Sequence, residues 1–343
     1  YPPYHIGGGG EVFKNLAENY KKLGHKVVVV YGYYPTKSWN EKIKEYTKKG
    51  IKFYQIPEIP YPKSSPYLRT VMPPNLKSWC KLNSIIEKEK PDVAHLHGYG
   101  HLLIDFLGLK CKKSGINFVF TNHGYPKIPY NKDRLIIFVW QAYKKIIGER
   151  LNKNATVITV VSEFTKKEYS PKHIVKIKVI PNGIDIMYKK ILESEIDKLK
   201  KRMGIKNEKI LLSVGRITEY KGFQDVISVL DRINNVKYLI IGKDQGYKKE
   251  LEKLIIKKKV KNKVIFLGWK DHEELNQYYQ LADLTIVPSH VESFGNIGLE
   301  SLKNKTPVIH SGVQGLSYLN ESKNAFKFGD QTQLKKLIKK SIK

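Results

Sequence analysis

Leu284-Thr285-Ile286-Val287-Pro288-Ser289-His290-Val291-Glu292-Ser293-Phe294-Gly295-Asn296-Ile297-Gly298-Leu299-Glu300 reads as a strand, a loop and a helix start in unbroken succession. The apolar run at 284–287 stops at Pro288, which has no N–H to give to a sheet ladder. Glu292 stands in the loop, and a helix follows from about Gly295. The amides of Ser293, Phe294, Gly295, Asn296 and Ile297 then lie at or beside a helix N-terminus, where donors lack intrahelical partners and the dipole favours an anion. Glu292 would face a neutral, hydroxyl-rich group next to that anion, and Glu300 would accept from a second pair of hydroxyls. The blander alternative makes Glu292 a capping acid and Glu300 a surface residue.

The same strand-then-helix grammar runs through the chain. Short apolar runs, many of them β-branched, fall at 26–32, 51–57, 93–98, 116–123, 156–162 and 178–183, and again at 210–216, 237–243, 263–269, 284–289 and 307–311. Near-continuous runs such as Val27-Val28-Val29-Val30 suit strands covered by helices on both faces. Strand, helix, strand alternation predicts parallel sheets joined by right-handed crossovers. The alternation lapses once, over the charged residues 186–208 after Pro181-Asn182-Gly183-Ile184-Asp185. Two domains are therefore expected, residues 1–185 and 186–343, each an α/β doubly wound parallel sheet. They would face each other across a cleft, with ligands beyond the carboxyl ends of the strands.

Three further motifs stand at strand ends. Ser213-Val214-Gly215-Arg216 is followed by Lys221-Gly222, so that a planar guanidinium and a point-charge ammonium can converge on one diphosphate. Fixed cations there stabilise the negative charge that grows as a phosphate leaves. Thr121-Asn122-His123-Gly124 points His123 into the same cleft from the first domain. Gly7-Gly8-Gly9-Gly10 forms a loop before a helix whose apolar face is Val12, Phe13, Leu16, Ala17, Tyr20 and Leu23. Glycines let amides approach an anionic ligand, although a tight turn for close packing would use them too. Such a loop normally follows a strand, and the chain opens Tyr1-Pro2-Pro3-Tyr4-His5-Ile6, so material ahead of Tyr1 is expected. His95 and His97 share one strand face, but no third ligand is spaced to complete a metal site.

Composition narrows the partners. Of 343 residues, 62 are Lys or Arg and 32 are Asp or Glu, a net charge of +30. Anionic partners are favoured, although a lysine-rich solvated surface accounts for the same figure. Cys80 and Cys111 can make no disulfide framework. The longest aliphatic and aromatic run, Leu135-Ile136-Ile137-Phe138-Val139-Trp140, is far short of a membrane span, and no signal peptide is visible.

Taken together, these residues resemble glycosyltransferase family 4, the retaining, nucleotide-sugar-dependent enzymes of GT-B fold. The resemblance covers most of the chain: Gly7–Gly10 with Glu11, Thr121–Gly124, Val161-Ser162-Glu163, Pro181–Asp185, Gly215-Arg216 with Lys221-Gly222, and the two acids Glu292 and Glu300. It implies that Arg216 and Lys221 neutralise the donor diphosphate and that Glu292 contacts the donor-sugar hydroxyls. Glu300 falls on the ribose, His123 near the transferred sugar, and Gly9 and Gly10 beside the diphosphate and acceptor. Gly268 and Trp269 fall near the nucleobase. It also implies that no metal is required, because the helix start and the basic pair supply its electrostatics.

The expected activity is transfer of a hexose-type sugar from a nucleoside diphosphate to an acceptor hydroxyl, with retained configuration. A GT-B-fold epimerase would share the architecture without an acceptor. A nicotinamide-dependent oxidoreductase should show the dinucleotide glycine spacing and an acid further on, which are missing. A nucleic-acid-binding protein would explain the charge, but neither a reading motif nor a stacking platform is found, so no nucleic acid is expected. Residues 248–263 hold eight lysines against two glutamates, and residues 132–153 six basic groups against two acids, around Leu135, Ile136, Phe138, Val139, Trp140, Tyr143, Ile146 and Ile147. The second mix is that of an interfacial helix, although an ordinary core-facing helix with lysines outside fits either segment. A saccharide or lipid-linked acceptor is expected, with the protein cytoplasmic and peripheral at the inner, anionic face of the cell membrane.

Overall fold

The structure, a computed structural model, describes residues 8–33, 43–58, 76–124, 134–169, 171–184, 188–319 and 322–343. The chain divides into two compact units, Tyr1–Asn182 and Gly183–Lys343. The start of the chain, including Gly7, lies outside the described residues.

The first unit opens on α1 (Gly8–Lys22), β1 (Val28–Tyr33), β2 (Lys44–Lys48) and β3 (Ile51–Pro57). α2 (Leu76–Glu89), β4 (Val93–His97), α3 (Leu102–Lys113) and β5 (Asn117–Asn122) follow. Then come α4 (Arg134–Tyr143), a π turn (Lys144–Gly148), α5 (Glu149–Asn154), β6 (Val157–Val160), α6 (Glu163–Lys167) and β7 (Ile177–Val179). The strands form a three-stranded sheet ordered β1-β3-β2 and a four-stranded sheet ordered β4-β5-β6-β7. Every pairing is parallel except β2 with β3.

β2 escapes the sequence reading. Its residues Lys44-Glu45-Tyr46-Thr47-Lys48 are exposed at every position and carry no apolar run. It is an edge strand, and lysines at an edge discourage further pairing. The strands that were legible are those whose apolar residues are buried: Phe118, Phe120, Ile158 and Val160 join Ile56 and Leu96 in one core. Residues 132–153, legible as one basic amphipathic helix, are broken within the described part by the π turn. At its end Gly148 packs so close to Tyr99 that a β-carbon would collide with the ring.

The second unit runs α7 (Glu193–Arg202), β8 (Lys209–Val214), α8 (Phe223–Ile227), β9 (Val236–Ile241), α9 (Lys248–Lys257) and β10 (Val264–Gly268). α10 (His272–Leu281), β11 (Leu284–Val287), α11 (Asn296–Lys303), β12 (Val308–His310) and α12 (Gln331–Ser341) complete it. The five strands are parallel, in the order β10-β9-β8-β11-β12. Alternate residues of each strand feed different cores. Leu211, Tyr238 and Ile240 pack with residues of α8, α9 and α12, while Ile210, Leu212, Leu239 and Ile241 pack with residues of α7 and α10. That is why these strands read as unbroken apolar runs rather than alternating ones.

The winding reverses at one place. From β8 the chain proceeds to β9 and β10 on one side, then returns to lay β11 and β12 on the other. The crevice at the carboxyl ends of β8 and β11 is therefore the topological switch point of this sheet, the place where such folds receive ligands. Among the described residues, no helix is long and apolar enough to cross a membrane.

Candidate active site

The sequence motifs of the second unit meet at that crevice. Arg216 and Lys221 follow β8, Glu292 follows β11, and Lys221 Nζ lies 2.6 Å from Glu292 Oε2. The two side chains are only 14% and 15% exposed. Burial alone would raise the Glu292 carboxyl, but the Lys221 charge and hydrogen bond outweigh it. The Ser293 amide and Ser289 hydroxyl add to them, and the group is held below the usual carboxylate range. The sequence reading set Lys221 on a diphosphate and Glu292 on hydroxyls; in this structure they neutralise each other. Arg216 Nη2 donates to the Tyr220 hydroxyl at 2.7 Å, and the guanidinium lies over that ring.

The two loops are stitched together by backbone. The His290 amide donates to the Tyr220 carbonyl at 2.8 Å. Gly222 has φ +73°, and a β-carbon there would run into the Pro288 carbonyl. Glycine after Lys221 thus serves close approach as well as a left-handed turn. The His290 ring bonds Asp225 at 2.9 Å and packs on Phe328.

α11 begins at Asn296, one residue later than the sequence suggests, with Gly295 as its N-cap at φ +79°. Gly295 offers no side-chain oxygen to cap the helix start. Phe294, stacked on Tyr318 at 4.5 Å, and the Tyr318 hydroxyl, which donates to the Gly295 carbonyl, brace this turn. Asn296 and Ile297 occupy the first helical positions. One turn further, Glu300 accepts from the Tyr279 hydroxyl at 2.8 Å, and its other oxygen lies 3.9 Å from His272 Nδ1. With its side chain 14% exposed, Glu300 is not the surface residue that the blander alternative allowed. Gly268 ends β10 at φ +70°, and the Trp269 beside it is 64% exposed. Tyr220, Tyr279 and Tyr318 carry no motif spacing, and nothing local in the sequence announces their hydroxyl partners.

The first unit holds a separate constellation. His123 follows β5, and its Nε2 lies 3.2 Å from His97 Nδ1 on β4. His95 bonds the Thr121 hydroxyl at 2.7 Å and Tyr20 at 3.2 Å. Phe13 of α1 packs on both the His97 and His123 rings. Burial, with the charge of His95, pushes His123 down to about 4; burial takes His95 to about 4 as well. Burial and its two histidine neighbours hold His97 well below the ordinary imidazole range too. All three are therefore neutral imidazoles at physiological pH. His123 Nδ1 is buried without a partner among the described residues. The sequence placed His95 and His97 on one strand face; parallel pairing of β4 with β5 brings His123 to them. Among the described residues, no three of His, Cys, Asp and Glu are arranged to hold a metal ion.

Gly9 and Gly10, read from the sequence as a loop, are instead in the first turn of α1. The expectation is corrected in form more than in chemistry, because first-turn amides lack intrahelical acceptors as loop amides do.

Comparison with known proteins follows the same division. The family model described as Glycosyltransferase Family 4 matches residues 6–188, and that described as Glycosyl transferases group 1 matches residues 195–343. An uncharacterised glycosyltransferase of Methanocaldococcus jannaschii is 30% identical over 334 residues, spanning 92% of this chain and 79% of that protein. The alpha-monoglucosyldiacylglycerol synthase of Acholeplasma laidlawii is 29% identical over 339 residues, spanning 94% and 81%. The crystal structure of Anabaena HepE in complex with UDP-glucose matches with a TM-score of 0.73 at 18% identity, covering 100% of this chain and 88% of that one. At that identity the likeness speaks for the fold. Two parallel-sheet α/β units, the paired motifs and both family matches agree: the chain belongs to glycosyltransferase family 4 and is a glycosyltransferase of GT-B fold.

Proposed function

We propose that this glycosyltransferase moves a hexose from a nucleoside diphosphate sugar to an acceptor hydroxyl with retention of anomeric configuration, and that the acceptor is lipid-linked. The observation that carries this reading is the Lys221–Glu292 pair at the switch point of β8 and β11, with Arg216 and the start of α11 beside it. A cation and an acid in contact can part to take a ligand carrying both an anion and hydroxyls. Lys221 and Arg216 take the diphosphate with the amides from Ser293 to Ile297, and Glu292 takes the sugar hydroxyls. Glu300, held by Tyr279, takes the ribose, and Gly268 and Trp269 border the base. His123, with Gly9 and Gly10, serves the transferred sugar and acceptor. Because no carboxylate is assigned as a double-displacement nucleophile, the acceptor attacks on the face the phosphate leaves. The leaving phosphate oxygen accepts the acceptor's proton, and the acceptor oxygen forms the new bond to the anomeric carbon. The basic pair and helix start carry the developing charge, so no metal is required.

Two similar proteins support the choice of substrates: the Acholeplasma relative is an alpha-monoglucosyldiacylglycerol synthase, and HepE is described in complex with UDP-glucose. The test is incubation with UDP-, GDP- and ADP-hexoses and lipid or saccharide acceptors, followed by NMR of the product anomer. Turnover with retention is expected. Arg216→Ala should lose about 100- to 1,000-fold in kcat, the scale of losing one charge-stabilising donor. Undiminished turnover in that variant, or an inverted product, overturns the reading.

A further inference from the structure

The two lysine-rich segments behave differently once folded. On α9, Lys253 pairs with Glu250 at 2.8 Å, Lys248 with Glu252 at 3.6 Å and Lys258 with Asp231 at 3.3 Å. Lys263 caps the Leu230 and Ile233 carbonyls. Half of the segment's eight lysines are thus answered within the unit, as on an ordinary solvated helix, and Ile256 is the one large exposed apolar residue of α9.

The α4–α5 segment is the opposite case. Its inner face is fixed: Trp140, Tyr143 and Leu151 are buried, and the Tyr143 hydroxyl donates to Asp105 at 2.6 Å. Its outer face carries Arg134, Phe138, Gln141, Lys145, Ile146 and Arg150, all exposed. Arg134, Phe138, Gln141 and Lys145 follow the four-then-three spacing of one helical stripe. The π turn then widens the helix, so that Ile146 stands five residues after Gln141, in the register of an i→i+5 turn, and Arg150 follows Ile146 by four. The turn thus keeps Ile146 near the meridian of Phe138 instead of letting it rotate away. Phe138 is 67% exposed and Ile146 60%. Arg134, Lys145 and Arg150 make no ion pair with any described residue. The one acid of the segment, Glu149, is already engaged by Lys172 and His173 at 2.8 Å each.

We infer that this outer face of α4, the π turn and α5 docks the first unit onto an anionic lipid bilayer, with Phe138 and Ile146 entering the headgroup boundary and Arg134, Lys145 and Arg150 meeting lipid phosphates. Charge complementarity selects the occupant: isolated cations interleaved with large apolar side chains match a surface that is itself anionic outside and apolar beneath. The inference rests on the lipid-linked acceptor proposed above and names the surface that would bring the enzyme to it.

The test is co-sedimentation of the full chain with phosphatidylglycerol-containing and pure phosphatidylcholine vesicles at low and high salt. UDP-glucose-induced thermal stabilisation is measured on the same samples. The wild type is expected to bind anionic vesicles at low salt. Phe138→Ser with Ile146→Ser, and separately Lys145→Glu with Arg150→Glu, should each lower the partition at least tenfold. Lys249→Glu with Lys257→Glu on α9 should lower it less than threefold. Retained nucleotide-induced stabilisation in all variants shows that they are folded and that only docking has changed. No binding by the wild type, or an α9 variant as impaired as the others, overturns the inference. Binding that needs Lys145 and Arg150 but not Phe138 and Ile146 marks a general polyanion surface and also overturns it. Absence of UDP-glucose-induced stabilisation in the wild type, with vesicle binding intact, would instead count against UDP-glucose as the donor and leave the docking face standing.

Discussion

Lys221 and Glu292 are 71 residues apart in sequence and 2.6 Å apart in space. Breaking a buried pair from one side strands a charge, which typically costs about 3–5 kcal/mol. Because Lys221 keeps 14% exposure, the lower end applies, and Glu292→Ala should lower thermal stability, with Lys221→Met/Glu292→Gln recovering part of it. Calorimetry of the three proteins decides. Each residue was legible singly, from its place after a strand; the pairing was not, because it depends on which strands become neighbours. Asp105 is a second buried charge, which sequence reading passed over because it sits in an unremarkable helix. It is 2% exposed, with Oδ1 unpartnered. Burial, opposed only by the Tyr143 hydrogen bond, raises its carboxyl from 3.8 to about 7. The folded chain then holds a proton that the unfolded chain has already lost. The resulting stability is fully present below the unfolded value and is lost as pH rises through the folded one. Asp105→Asn should flatten that slope, gaining on the wild type by a few kcal/mol (order of magnitude) between about pH 4 and 8. Urea unfolding across that range checks it, and parallel wild-type and variant slopes would refute it.

At the scale of elements, strands with buried apolar residues were legible and polar ones were not, as the contrast of β8 with β2 shows. Ile210, Leu211 and Leu212 leave no doubt in sequence, whereas Lys44–Lys48 is an edge strand with every residue exposed. The start of α11 was legible to one residue, from Gly295, whereas α1 begins at Gly8, inside the glycine run read as a loop. The π turn was not legible, because nothing in Lys144–Gly148 departs from helical composition. The loop carrying Lys221 depends on Gly222. Gly222→Ala must accommodate both φ +73° and the Pro288 carbonyl. It should lower stability by about 1–3 kcal/mol, the scale of a strained backbone position. It should also weaken nucleotide binding by displacing Lys221. Thermal melts with and without UDP-glucose measure both effects, and a variant that melts and binds like the wild type would show the approach to be unimportant.

For the whole molecule, the division into Tyr1–Asn182 and Gly183–Lys343 leaves each unit with its own constellation: neutral imidazoles in the first, cations and acids in the second. Strand order was beyond the sequence, yet it is the order β10-β9-β8-β11-β12 that puts the two decisive loops side by side. The net charge of +30 suggested anionic partners without saying where. Folding separates the α9 segment, half of whose lysines are answered internally, from the outer face of α4–α5, where Arg134, Lys145 and Arg150 make no ion pair with any described residue. On the function proposed above, the β8–β11 crevice grips a nucleoside diphosphate sugar. The most direct test is calorimetric titration of UDP-glucose, GDP-glucose and ADP-glucose into the wild type, Arg216→Ala and Glu292→Gln. One donor should bind the wild type at a single site and lose at least tenfold in affinity in each variant. Failure of all three donors to bind, or equal affinity in the variants, would contradict the account.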